Sequence, residues 1–149
     1  MISRLSVNLK RKTDETQNCY RIYVMDEIER LKSGRNLLLK LHKSLVDHER
    51  SNYEGFNGPT TATDFLNLLL NDDDFEWLRR FSTLIVDIDE MFAQKEGYAG
   101  DAVTAHISRM RNLLAMEGED DYFHDKYKWA LQNDSDVAAL HAEIKKTLE

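Results

Sequence analysis

The apolar positions of this chain recur mostly at helical spacing, and glycine, proline and short acidic clusters separate the runs. Residues 5–9 are the exception. Leu5, Val7 and Leu9 alternate with Ser6 and Asn8, a strand-like period. With no second strand to pair with, the segment is expected to be an extended arm. Thr13 followed by Asp14 and Glu15 fits a helix start, where a hydroxyl accepts a free amide and acids suit the positive end. The first helix is then expected from there to about Lys32, with Tyr20, Val24, Ile28 and Leu31 on its apolar face. Ser33-Gly34 either ends it or kinks a longer helix.

A second helix is expected from about Arg35 to Glu54. Leu37, Leu38, Leu41 and Leu45 mark one face, and Leu39, Val46 and Tyr53 widen the apolar arc. An arc this wide predicts neighbours on more than one side. Gly55-Phe56-Asn57-Gly58-Pro59 ends it. Thr61 or Thr63 caps a short helix holding Phe65, Leu66, Leu68, Leu69 and Leu70. Asp72 or Asp73 caps the next helix, about residues 73–93. There Trp77, Leu78, Phe81, Leu84, Ile85, Ile88, Met91 and Phe92 share one face. After Gly97-Tyr98-Ala99-Gly100, Asp101 is the expected cap of a helix over 101–117 that buries Val103, Ile107, Met110, Leu113 and Leu114. Beyond Gly118 the acids Glu119, Asp120 and Asp121 open a further helix. Phe123, Tyr127 and Leu131 lie on one side of it, Tyr122 and Trp129 on another. Ser135 caps the last, with Val137, Leu140, Ile144 and Leu148 apolar and Lys145 and Lys146 suited to its negative end. The expected fold is one all-α domain over residues 1–149. It is an antiparallel helical bundle of four main helices with short additional helices and an extended N-terminal arm.

Composition narrows the class. At 149 residues, with 42% hydrophobic residues and one proline, the chain is too apolar for disorder and long enough to bury a core unaided. A lone Cys19 excludes an internal disulfide. No apolar run of about 18 residues exists to span a membrane, and the N-terminus lacks the apolar core of a signal peptide. These features point to the cytoplasm. The charge is uneven. The first 12 residues hold Arg4, Lys10, Arg11 and Lys12 and no acid, +4, which leaves −11 of the total −7 in the rest. An acidic body disfavours nucleic acid, whose affinity rests on neutralised phosphates.

The order Leu38-Leu39-Lys40-Leu41-His42-Lys43-Ser44-Leu45-Val46-Asp47-His48-Glu49-Arg50, then Tyr53-Glu54 and Gly58-Pro59, continues into Leu68-Leu69-Leu70-Asn71-Asp72 and Phe75-Glu76-Trp77-Leu78-Arg79. It goes on through Leu84-Ile85-Val86-Asp87-Ile88-Asp89-Glu90 to Tyr127 and Ala130-Leu131. This order resembles a group of small uncharacterised all-helical bacterial proteins, over residues 28–149. The resemblance implies an all-α fold and a bacterial, cytoplasmic setting, and it implies no activity.

Catalytic motifs are missing. There is no Gly-x-Ser-x-Gly and no phosphate-binding glycine loop. The Glu-x-x-His of carboxylate di-iron bundles does not occur, so no metal and no cofactor is expected. His106 lacks the following glycine of a phosphotransfer domain. His42, Glu49 and Tyr53, spaced i, i+7 and i+11, fall within about 40° on one helix face. This polar stripe lies inside an apolar arc, and an unpaired buried carboxylate is costly. Glu49 is therefore expected to meet His42, Tyr53, Arg80 or a residue of another helix. With His106 the stripe forms a candidate small-ligand or metal site. The competing expectation is a structural cluster. Tyr122 and Trp129 are candidate interface anchors. The leading expectation is a non-enzymatic bundle that forms a homodimer or binds a protein partner.

Overall fold

The computed structural model describes the backbone of residues 3–149 and the side chains from residue 11 onward. The fold is all-α, with no strand among the described residues. Its elements are α1 (Ser3–Asn57), α2 (Ala62–Asn71), a 3-10 turn (Asp73–Phe75), α3 (Glu76–Phe92), α4 (Gly100–Leu114), α5 (Asp121–Asn133) and α6 (Ser135–Leu148). No described helix is long and apolar enough to cross a membrane.

The first and second expected helices are a single helix of 55 residues, about 80 Å long at 1.5 Å per residue. Gly34 does not break it, because it is a packing residue. A Cβ there would lie 3.0 Å from Met110 Sδ and 3.2 Å from Leu148 Cδ2, so α4 and α6 approach α1 closely at this point. Nor is the arm extended, since α1 is helical from Ser3. At 100° per residue Leu5 and Leu9 then lie about 40° apart, with Val7 on the far side, so the alternation carried no strand information. Thr13 is inside the helix. The C-terminal end is as the sequence predicts: Gly58 adopts φ 82°, and its amide donates to Glu54 O at 2.9 Å.

Side-chain caps set the starts of α2, the 3-10 turn, α5 and α6. Thr61 Oγ1 accepts from Asp64 N at 3.1 Å, and Asp72 from Asp74 N at 2.9 Å. Asp120 accepts from Phe123 N at 2.8 Å. Three cap assignments shift. Asp72 caps the 3-10 turn, and α3 starts at Glu76 after Phe75 without a side-chain cap. α4 starts after Ala99 without a side-chain cap, leaving Asp101 in its first turn. Asp134, not Ser135, caps α6, accepting from Asp136 N and Val137 N.

The buried residues form one contiguous cluster drawn from all six helices and the 3-10 turn. α1 packs against α3, α4 and α6, α5 packs against α3 and α6, and α2 lies on α3. The wide arc expected on Leu37–Tyr53 is thus used on several sides. At the centre the Phe81 ring lies 5.3 Å from Tyr127 and 5.7 Å from Phe123, with Trp77 5.8 Å from Phe123. A second aromatic group, Tyr53, Phe65 and Phe75, fastens α2 to the end of α1. Arg35 clamps α1 to α3, donating to both oxygens of Asp89 at 2.8 and 2.6 Å.

The N-terminal part of α1 stands apart from this core. Every residue from Arg11 to Tyr23 is exposed. Tyr20, expected on the buried face, is 63% exposed, and Ile22, Tyr23 and Met25 are exposed too. The helix meets the bundle beside the start of α4, where a Cβ on Gly100 would sit 3.4 Å from the Tyr20 hydroxyl. Leu39, expected to widen the arc, is also exposed, as are Leu66 and Leu70 of α2.

Candidate functional site

The stripe on α1 divides into separate environments. Glu49 is 3% exposed, and its Oε2 accepts from Lys126 Nζ of α5 at 3.0 Å. Its Oε1 is buried without a hydrogen-bond partner. The expected partner from another helix therefore exists, and it is neither His42, Tyr53 nor Arg80. Lys126 is 60° around α5 from Phe123, so it flanks the buried face. That position was the available signal for this pair.

His42 is half-buried and makes no side-chain hydrogen bond among the described residues. Burial holds its imidazole below the ordinary value. Tyr53 turns toward Phe65 and Phe75, at 6.1 and 6.3 Å between ring centres. It borders an open acidic cleft of about 740 Å³ with Thr60, Asp64 and Asp72. His106 lies on α4, its Nδ1 3.3 Å from Arg109 Nη1, while Arg109 Nη2 donates to Asp87 at 2.7 Å. Burial, then the Arg109 charge, lowers its pKa against the opposing pull of Asp87. The four residues thus do not converge on one site. Among the described residues no group of three His, Cys, Asp or Glu side chains is placed to hold a metal ion.

Two polar pairs escaped the sequence reading. His48 Nδ1 lies 3.5 Å from Asp134 Oδ2 and its Nε2 3.1 Å from Asn52, so the α5–α6 junction is tied to α1. Tyr127, fully buried, shares a hydrogen bond of 2.7 Å between its hydroxyl and His141 Nδ1 of α6. Burial pushes the Tyr127 phenol well above its ordinary range. Burial, helped by Lys145, holds the His141 imidazole below 6.5.

A pH dependence follows. His42 and His141 bind a proton less tightly folded than unfolded, so below 6.5 the unfolded chain takes up protons first. Their contribution is complete above that pH and is lost as pH falls through it toward the lower folded values. The melting temperature is expected to drop from about pH 7.5 to about pH 5.5. His141→Gln, which keeps an acceptor for Tyr127 and cannot titrate, is expected to flatten the drop. An unchanged slope in that variant would remove His141 from the account.

A cleft of about 360 Å³ between α3 and α4 is lined by Arg79, Arg80, Thr83, Arg109, Asn112 and Glu117, among others. All three guanidiniums are engaged within the chain. Arg79 donates to the carbonyls of Leu69 and Asp72, Arg80 pairs with Glu119 at 3.2 Å, and Arg109 pairs with Asp87. Arg79 thereby closes the end of α2.

The two aromatic interface candidates share a face of α5 and differ in their ties. Tyr122 is 43% exposed, but its hydroxyl donates to Asp74 O at 2.9 Å and Lys126 Nζ lies 5.8 Å from its ring centre. Trp129 is 55% exposed and makes no ring contact or side-chain hydrogen bond among the described residues. No protein-family model, curated protein or solved structure matches the chain, so its functional reading rests on this geometry.

Proposed function

We propose that this protein is a non-enzymatic helical bundle that acts by self-association, presenting the N-terminal part of α1 to a second copy. The observation that carries the reading is the run of exposed residues from Arg11 to Tyr23, held in a helix that continues past the packed core. Most helices in proteins draw their stability from a packed face. This segment has little packing of its own, and it carries Tyr20, Ile22, Tyr23 and Met25 exposed where it joins the bundle. The face that buries Glu27, Leu31, Gly34, Leu38, Leu41 and Leu45 repeats every seven residues as steps of four and three. Carried backward, the same register passes through Val24 and Tyr20, the spacing of a helix–helix seam. Two features weigh for self-association over the internal-site alternative. Glu49 is closed by Lys126, and His106 stands on another helix beside Arg109.

Native mass spectrometry and light scattering of the intact chain are expected to give a dimer that dissociates on dilution. Trp129→Ser is expected to leave that dimer intact. A strict monomer would end the self-association reading. A dimer lost in Trp129→Ser would move the contact to α5 and away from α1.

A further inference from the structure

We propose that the junction of α1, α3 and α5 is a binding site for one water molecule, which bridges Glu49 of α1 and Trp77 of α3. Glu49 Oε1 and Trp77 Nε1 are the two buried side-chain polar atoms without a hydrogen-bond partner among the described residues. They are complementary, since an ionised carboxylate only accepts and an indole N–H only donates. A buried group left unpaired costs free energy, and in folded proteins such groups are bonded to the chain or to ordered water.

The contacts around them bring both atoms to one level. Arg35 pairs with Asp89 near one end of the contact between α1 and α3, and Tyr53 meets Phe75 near the other. From the first pair, residues 35 to 49 cover about 21 Å of α1 and residues 89 to 77 about 18 Å of α3, at 1.5 Å per residue. Glu49 and Trp77 therefore leave their helices at similar heights. α5 touches both. Lys126 Nζ lies 3.0 Å from Glu49 Oε2, and its neighbours Phe123 and Tyr127 set their rings 5.8 and 6.4 Å from that of Trp77. Tyr122, with Lys126 Nζ 5.8 Å from its ring centre, donates to the carbonyl of Asp74, just before Trp77 in the chain.

The chemistry selects the occupant. Glu49 and Trp77 do not hydrogen-bond to each other, so a link between them needs an intermediary. That molecule must accept from the indole N–H and donate to the carboxylate. A metal ion or an ammonium cannot accept, and an anion would meet the charge of Glu49. Water does both, and a buried water typically makes about three hydrogen bonds. Lys126 can supply the third, because its ammonium carries three N–H groups and gives one to Glu49. Bonds that end on a charged group are stronger than neutral ones, so the bridge is held firmly.

A crystal structure of the intact chain that resolves ordered water tests the site. One water within hydrogen-bond distance of both Trp77 Nε1 and Glu49 Oε1 is expected. In solution the two tryptophans give two indole N–H resonances, and Trp129→Phe identifies the one from Trp77. Glu49→Gln removes the charge at the far end of the bridge and keeps the shape of the side chain. It is expected to move the Trp77 indole proton upfield, toward weaker hydrogen bonding, and to leave that of Trp129 in place. A direct bond between Trp77 and Glu49, or no water at either atom, overturns the bridge. So does a water held only in the cavity of about 40 Å³ that Trp77 lines with Asp73, Arg80, Asp120 and Tyr122. An indole resonance that Glu49→Gln leaves unmoved also overturns it. If that variant does not fold, the crystal structure of the unchanged chain still decides.

Discussion

Lys126→Ala is expected to lower the stability of the fold by about 3 kcal/mol, the low end of what removing one partner of a buried pair costs. Glu49 is 3% exposed, and only one of its two oxygens has a hydrogen-bond partner. Without Lys126 the carboxylate loses its counter-charge, and most of its desolvation is uncompensated. The figure sits at the low end because the Lys126 side chain is 31% exposed, so water can enter part of the space it leaves. Urea denaturation checks the value. Glu49→Gln added to Lys126→Ala is expected to restore much of the loss, since the cost lies in the orphaned charge. A loss near zero in the single variant would mean that Glu49 is already hydrated.

Phe81→Ala is expected to cost about 3–5 kcal/mol, as truncation of a fully buried aromatic does. Phe81 is 0% exposed and lies within 6.2 Å, ring centre to ring centre, of Trp77, Phe123 and Tyr127. These rings join α3 to α5, so the void would open where α5 is held. Val86→Ala on the same helix is the control. Val86 is 51% exposed, and its truncation is expected to stay within about 0.5 kcal/mol. Comparable losses for the two would show that the aromatic centre tolerates collapse.

The sequence was most informative where local chemistry decides. Thr61 and Asp120 are polar residues shortly before apolar positions, and α2 and α5 start at the residue after each, whereas Asp72 opens a 3-10 turn that delays α3 to Glu76. The buried face of α3 was legible for the same reason: its apolar residues satisfy one helical period without interruption. It was least informative where the same residue serves two purposes. Gly34 could end a helix or let two others approach, and only Met110 and Leu148, far away in sequence, decide between these. Leu5, Val7 and Leu9 fit a strand period over too few residues to outweigh a helix already running. For the candidate site, burial of Glu49 and the need for a partner were both legible from its place on the apolar arc. The identity of Lys126 was not, because it depends on how α5 is set against α1. His106 was grouped with the α1 stripe by residue type alone, and its neighbours proved to be Arg109 and Asp87.

The pairing of α1 with α6 also bears on how the protein is made. α1 leaves the ribosome well before α6, yet Gly34 lies against Leu148, and Val137, Ile144 and Leu148 are all buried. α3 and α4 cover part of the apolar arc of α1, and the strip that α6 covers waits until α6 emerges. Such long-range closure slows folding and prolongs the exposure of sticky surface. A chain that stops before Asp134 lacks Val137, Ile144 and Leu148, and the strip of α1 they cover stays open to water.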